Sequence, residues 1–156
     1  MIEKIISGGQ TGVDRAALDV ALTLAIPHGG WCAAGRQADD GPIPAKYQLV
    51  ETAHLDHTVR SEFNIKGSDG TLMIYRGELH GGTAYAVELA KHLDRPVLTL
   101  NLEQTPSVAS IIDWIKNHNI KTLHIGGQRE INNPGIYAQA YTLINALCRA
   151  AAAPLP

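Results

Sequence analysis

The spacing of apolar positions along the chain changes several times, and each change predicts an element. Residues 2–6 form a short β-branched run closed by Gly8-Gly9, and from Val13 the apolar residues Val13, Ala17, Val20, Ala21 and Leu24 recur at helical spacing. Thr11, with Asp14 three positions on, resembles a capping box, and Pro27 lies just past the helix end. The same order of strand, glycine and helix recurs. "GTLMIYR" (residues 70–76) predicts a strand, Gly81-Gly82-Thr83 a turn, and residues 84–93 a helix stopped before Pro96. "VLTLNL" (97–102) predicts a buried strand, with Thr105-Pro106 as N-cap and first residue of a helix bearing Val108, Ile111, Ile112 and Ile115 and ending near Asn119. "KTLHI" (121–125) predicts a further strand, Gly126-Gly127 a turn, and residues 136–150 a last helix.

Strands alternating with helices through short connections require a parallel sheet, because parallel neighbours need crossover segments and these are almost always right-handed helices. The expected fold is therefore α/β: a Rossmann-like, doubly wound, mostly parallel sheet with helices on both faces. Residues 27–69 carry a weaker pattern, with a strand near residues 30–32, a loop rich in proline and glycine, and a mixed segment before Ser68. No linker divides the chain, so one ligand-binding domain over residues 1–150 is expected, followed by an Ala/Pro tail, 151–156, that frays.

Composition narrows the function classes. With 45% apolar and 18% charged residues the chain is of ordinary globular type, and a formal net charge of −2 gives no general attraction to nucleic acid or to an anionic membrane. An anionic ligand must then be held by local geometry. No stretch approaches the roughly 18 apolar residues of a membrane span, and no secretory leader is evident, so a cytoplasmic protein is expected. The two cysteines, Cys32 and Cys148, are far apart and read as free thiols.

Three predicted strand ends carry glycine pairs, Gly8-Gly9, Gly81-Gly82 and Gly126-Gly127, the first and third extended to "GGQ". In a parallel sheet these ends share one edge, where backbone N–H groups and helix N-termini receive anions. Any one pair can be a plain tight turn, the lesser reading even for a single pair, and three on one edge favour a ligand more strongly. The spacing matches neither G-x-G-x-x-G nor the lysine-bearing P-loop, which argues against those nucleotide sites. Arg36 and Arg129 are candidate anion partners. Asp39-Asp40 reads as a solvated loop, His54 and His57 lack a third metal ligand, and no G-x-S-x-G elbow is present, so neither a metal site nor a catalytic nucleophile is assigned. Trp31, Tyr75 and Tyr85 are read as core residues in preference to ligand contacts.

Five blocks in order, "SGGQTGVDRAALD", "GWCAAGRQADDGPIPAKYQLVE", "RSEFNIKGSDGTL", "GGT" and "GGQREINNPGIY", resemble the molybdenum cofactor carrier protein family over most of residues 2–137. That family is similar to lysine-decarboxylase-like and cytokinin-activating phosphoribohydrolases and to DprA-type proteins. The resemblance implies a homo-oligomeric carrier whose cargo is the molybdenum cofactor, a phosphate-bearing molybdopterin, or another phosphate-bearing small molecule, for delivery to molybdoenzyme acceptors. Carried over, the cradle would comprise Gly8, Gly9, Gln10, Thr11 and Gly12, with Asp14 and Arg15 behind them and Gly81, Gly82 and Thr83 opposite. Ser68, Asp69, Gly70 and Thr71 would line the same edge, joined by Arg36, Gly127 and Arg129. Asp14 is expected to accept hydrogen bonds from the neutral part of the ligand, with Thr11 capping the helix. The phosphoribohydrolases place a glutamate just after the threonine of their second glycine motif, whereas here Thr83 is followed by Ala84, Tyr85, Ala86 and Val87 before Glu88. A phosphoribohydrolase acting on a nucleoside monophosphate through Asp14 or Glu88, and a nucleotide-sensing module, stand as alternatives.

Overall fold

The computed structural model describes residues 2–152, with the side chain of residue 152 excepted. Strand β1 (Lys4–Ile6) leads into helix α1 (Val13–Thr23) and then to the short strands β2 (His28–Gly29) and β3 (Trp31–Cys32). A small hairpin of β4 (Gln37–Ala38) and β5 (Gly41–Pro42), then β6 (Val50–Glu51) and helix α2 (His57–Lys66), complete the first half. The second half runs β7 (Gly70–Tyr75), α3 (Gly81–His92), β8 (Val97–Asn101), α4 (Val108–Asn117), β9 (Thr122–Gly127) and α5 (Ile136–Ala152). The helix α5 thus continues through residue 152, and the rest of the tail expected to fray lies outside the described residues.

The main sheet has five strands in the order β2-β1-β9-β7-β8, and every pairing is parallel. From β1 the chain winds outward to β2, from β7 it winds the other way to β8, and the last strand in sequence fills the centre. That reversal leaves a crevice beyond the carboxyl ends of β1, β9 and β7, the usual ligand position in an open α/β sheet.

Side chains alternate across the sheet with period two. Ile5, Leu72, Ile74, Leu123 and Ile125 face one way and pack under α1, α4 and α5 against Val13, Val20, Ile111, Ile144 and Leu147. On the opposite face Met73 packs with Ile65 of α2 and Ala86, Val87 and Ala90 of α3. Both faces are covered, which is what a parallel sheet needs and what the near-continuous apolar runs of β7 and β9 encode.

Four local expectations are corrected by the backbone. The N-cap of α1 is Gly12, without any side-chain cap bond, and the Thr11 hydroxyl points instead at Asp39. Helix α4 is capped by Ser107, whose Oγ accepts from the Ser110 amide at 3.3 Å; Thr105 takes φ +49 to close a 3-10 turn at residues 102–104. Gly81-Gly82-Thr83 is the first turn of α3 rather than a loop before it. Gly126 and Gly127 lie within β9, paired with Met73 and Ile74, rather than in a turn after it.

The weakly patterned segment forms a flap of paired short strands, β3 with β6 and β4 with β5, around a small core of Leu18, Cys32, Ile43 and Tyr47. Asp19 of α1 anchors it. Its carboxylate accepts from the hydroxyls of Tyr47 in the flap and of Tyr137 at the start of α5, the latter at 2.5 Å. Burial and the facing Asp19 carboxylate raise both tyrosine pKa values above the ordinary range. Hydrogen bonds to a charged group contribute about 1.5–3 kcal/mol each, less where solvent competes. Asp19→Ala is therefore expected to lower stability by about 2 kcal/mol in urea unfolding, and an effect below about 0.5 kcal/mol would show that the flap is held by its apolar contacts alone.

Candidate functional site

A cleft of about 310 Å³ opens at the carboxyl edge of the sheet. Its floor includes Met73, His124 and Gly126; one wall is the start of α2 with His57 and Arg60, and the other is the start of α3 with Gly81, Thr83 and Tyr85. The volume falls at the lower end of the roughly 300–1,000 Å³ typical of small-molecule sites.

The two helix N-termini at this edge differ sharply. At α1, the Val13 amide is already bonded to the Gln128 carbonyl at 3.2 Å, and a Cβ on Gly12 (φ +85) would overlap that same carbonyl. The Gln10 amide donates to Asp14 Oδ2 at 3.3 Å and the Thr11 amide to Gln10 Oε1 at 2.9 Å. Gly9 packs against Leu49 and Ile43, and Gly8 lies under the guanidinium of Arg60. Much of the donor capacity of the first glycine turn is consumed inside the protein. At α3, by contrast, Gly81 and Gly82 are exposed with open space where a Cβ would be, and the N-cap His80 supplies no side-chain bond. Thr83 is buried except for 7% of its surface, and its hydroxyl has no hydrogen-bond partner among the described residues. Helix α3 therefore presents its unpaired N–H groups and a free hydroxyl to the cleft, as anion sites do.

Asp14, central to the expected cradle, lines the cleft but is turned toward Arg60, whose Nη1 lies 3.1 Å from its Oδ2. Burial raises the Asp14 pKa, opposed by the charge of Arg60 and by the backbone amides of Gln10 and Gly127. His124 is buried in the floor of the same cleft with Nδ1 3.1 Å from the Thr71 hydroxyl, and burial, assisted by the Arg60 charge, pushes its pKa down to about 3. It is thus a neutral polar group in the floor. In a nitrogen-detected NMR titration His124 is expected to remain neutral from about pH 8 to about pH 5, and a midpoint near the ordinary value of 6.5 would contradict this burial.

Of the expected arginines, only Arg129 reaches the cleft rim, where Asp39 holds it through two bonds of 2.7 and 2.8 Å. Arg36 spends its guanidinium on the carbonyls of Ile43, Pro44, Tyr47 and Leu49 and is a clamp for the flap. Arg15 binds the Gly9 carbonyl and Asp40, tying the flap to the first turn. Asp39 and Asp40 are thereby ion-pair partners and not a merely solvated pair. Tyr85 is 45% exposed and lines the cleft, so the core assignment is corrected for it.

The placement of Ser68, Asp69 and Gly70 at this edge is also corrected. Ser68 and Asp69 precede β7 and Gly70 opens it, and in a parallel sheet that puts them at the amino edge, opposite the cleft. There the Asp69 carboxylate accepts from the amides of Lys121 and Thr122 at 3.0 and 2.8 Å, Ser68 donates to the Ile65 carbonyl, and Gly70 makes room for Ile120. Thr71 is buried inside β7 and serves the site only through His124. Glu88 is absent from the cleft lining; it is 74% exposed and paired with Lys91. No cluster of three or more metal-ligating side chains occurs among the described residues.

Arg60 was not singled out by sequence reasoning. It stands in the block "RSEFNIKGSDGTL", but its position depends on the bare Cα of Gly8, in the turn after β1 and far away in sequence. The one available signal was the pairing of a cation with a buried acid, and only the fold brings Arg60 and Asp14 together.

A five-stranded parallel sheet with helices on both faces and a glycine-lined cleft beyond its central strands defines a Rossmann-like domain. The chain belongs to the circularly permutated YpsA SLOG family, whose model matches residues 5–148. A crystal structure from Syntrophus aciditrophicus, of a protein named "putative molybdenum carrier protein", is 41% identical to the chain, with a TM-score of 0.89 and 94% of each chain covered. Comparison with curated proteins finds no match. No helix among the described residues is long and apolar enough to cross a membrane.

Proposed function

We propose that the protein is a carrier that binds the molybdenum cofactor in the cleft between α2 and α3 and holds it for transfer to an acceptor enzyme. The observation that carries this reading is the chemistry of the cleft walls. Unpartnered donors, the α3 N-terminus and the Thr83 hydroxyl, suit a phosphate; the exposed ring of Tyr85 beside them suits a flat heterocycle. The neutral His124 and the polar rim of Gln10, Gln128 and Arg129 offer donors and acceptors to a pterin's ring nitrogens and carbonyl. The name of the 41% identical relative points to the same cargo.

The hydrolase alternative needs a carboxylate placed against a reacting bond. Glu88 lies outside the cleft, and Asp14 is engaged by Arg60 and by backbone amides, which leaves it poorly disposed as a nucleophile or base. The geometry thus favours binding over turnover.

The test is to express the full chain in a host that makes the cofactor, purify it without oxygen, and oxidise the released ligand. A fluorescent pterin with molybdenum in comparable amount is expected. Release of free base from AMP by the purified chain, or an adenine nucleotide as the sole bound species, would overturn the carrier reading in favour of the hydrolase or the sensor.

A further inference from the structure

Five arginines lie around this edge, and their donors are spent very differently; Arg76, just after β7, gives Nη1 to Gln139 and Nη2 to the Pro134 carbonyl. Arg15 and Arg36 direct Nε and both Nη nitrogens to carbonyls or to Asp40, and Arg129 gives Nε and Nη2 to Asp39. Arg60 alone among them is nearly enclosed yet incompletely used. Its side chain is 14% exposed; Nε donates to His57 Nδ1 at 3.1 Å and Nη1 to Asp14 Oδ2 at 3.1 Å. Its Nη2 has no acceptor among the described residues. Among the described residues no fully buried side-chain nitrogen or oxygen lacks a partner, so that nitrogen keeps some exposure, and Arg60 is one of the residues that line the cleft.

The guanidinium is also held in place. It lies over Gly8, where any Cβ would overlap Nη1, and Asp14 Oδ2 is 3.0 Å from that same Cβ position. Gly8 does not have a positive φ, so its lack of a side chain serves the arginine above it and not an unusual backbone. With Nε on His57 and Nη1 on Asp14, the guanidinium keeps the N–H groups of Nη2 for a further acceptor, and an oxyanion is the acceptor that forms the stronger, charge-assisted bond to such a cation.

We infer that Arg60 is a ligand-contacting residue that receives an oxyanion of the phosphate or molybdate class in the cleft, and that Gly8 and Asp14 are positioning residues for its guanidinium. The inference rests on the carrier reading only in treating the cleft as a ligand site. It places a cation on the α2 wall, facing the donors of α3, so that an anionic group is gripped from both sides. It also gives Asp14 a task other than direct contact with the ligand: its charge offsets that of Arg60 until the anion arrives, which keeps an empty cleft from being strongly cationic.

Two separate oxyanions, inorganic phosphate and tungstate, serve as probes, titrated calorimetrically into the full-length chain. Arg60→Gln alone would strand a buried carboxylate, so the decisive variant is the double substitution Arg60→Gln with Asp14→Asn. It removes one positive and one negative charge and leaves the net charge unchanged. Affinity for at least one probe is expected to fall by about tenfold or more in this variant. Gly8→Ala, which keeps every charge and displaces chiefly the guanidinium, with a lesser push on the Asp14 carboxylate, is expected to weaken the same probe by about threefold or more, with Arg60→Lys retaining part of the affinity because the charge remains and the planar guanidinium is lost. Wild-type affinity in the double variant overturns the contact, and wild-type affinity in Gly8→Ala overturns the positioning. A wild-type chain that carries a pterin yet binds neither oxyanion would overturn the inference and leave the carrier reading standing. Oxyanion binding that depends on Arg60, in a chain that never acquires a pterin, would do the reverse.

Discussion

Gly12→Ala is expected to cost about 4 kcal/mol of stability, a large share of the roughly 5–15 kcal/mol that holds a domain of this size together. Two effects add. Gly12 has φ 85 and ψ −129, a combination that strains residues bearing a Cβ by about 1–3 kcal/mol. The new methyl would also overlap the Gln128 carbonyl and lie 2.8 Å from the Glu130 amide nitrogen and 3.0 Å from the Arg129 carbonyl carbon. All three are backbone atoms, which cannot rotate away, and overpacking of that kind costs about 1–3 kcal/mol. The substitution separates the start of α1 from the segment after β9, so the cleft should widen as stability falls. Two other glycines supply the comparison. Gly81 has φ +60 and open space around it, so alanine there costs only the left-handed conformation, about 1–2 kcal/mol; Gly82 has open space without positive φ, and alanine should be neutral or stabilising. Urea unfolding of the three variants should rank Gly12 far above Gly81 and Gly81 above Gly82. A cost at Gly12 no larger than that at Gly81 would mean that α1 is not docked on the Gln128 carbonyl.

That comparison also explains what could and could not be learned from the sequence. The strands and helices were legible because their apolar positions repeat locally, as in Val13, Ala17, Val20 and Ala21 of α1, and because the short connections left a parallel sheet as the economical solution. The location of the cleft followed from the same logic, since all three glycine pairs do come to the carboxyl edge. What the pairs do there was not legible. Gly8-Gly9 is filled by Arg60, Leu49 and Ile43, and Gly127 is pressed against Ile74, while Gly81-Gly82 stands open. The partners that decide between these outcomes are long-range, and no local pattern names them.

The misplaced block is instructive in a different way. Ser68, Asp69 and Gly70 carry the same polar and glycine character as the true edge residues, but strand direction puts them on the other side of the sheet. A residue just before a strand and a residue just after one cannot share an edge when all strands run parallel, so this part was decidable once the sheet was assigned. Arg60 is the opposite case. Its neighbours in sequence suggested a mixed segment, and its importance appears only when α2 packs against β3 and α3 and brings it to Asp14.

The pairing of Arg60 with Asp14 sets the second large expectation. Arg60→Ala should cost about 3 kcal/mol near neutral pH, because removing one partner of an enclosed ion pair leaves the other charge without compensation. The penalty should depend on pH. In the folded protein the Asp14 pKa is raised above 3.8 by burial, with Arg60 the foremost influence pulling it back down. Losing Arg60 therefore raises it further. An acid whose folded pKa exceeds its unfolded value binds its proton more tightly when folded, so stability falls as pH rises from about 3.8 through the folded pKa and the loss is complete above it. Acidification protonates Asp14 in wild type and variant alike, and the difference between them should shrink. His124 reinforces that trend. Its pKa, about 3 against 6.5, makes folded stability fall as pH drops below 6.5, but Arg60 is one cause of the depression, so the variant suffers less of that loss. His57 on α2 acts in the same direction, because burial and then the Arg60 charge lower its pKa and the variant loses the second of these, whereas Arg129 after β9 is present in both proteins. Urea unfolding from about pH 8 to about pH 5 should show the Arg60→Ala penalty diminishing, and adding Asp14→Asn should remove most of its pH dependence. A penalty of constant size across that range would mean that Arg60 stabilises α2 by packing over Gly8 and that its charge on Asp14 matters little.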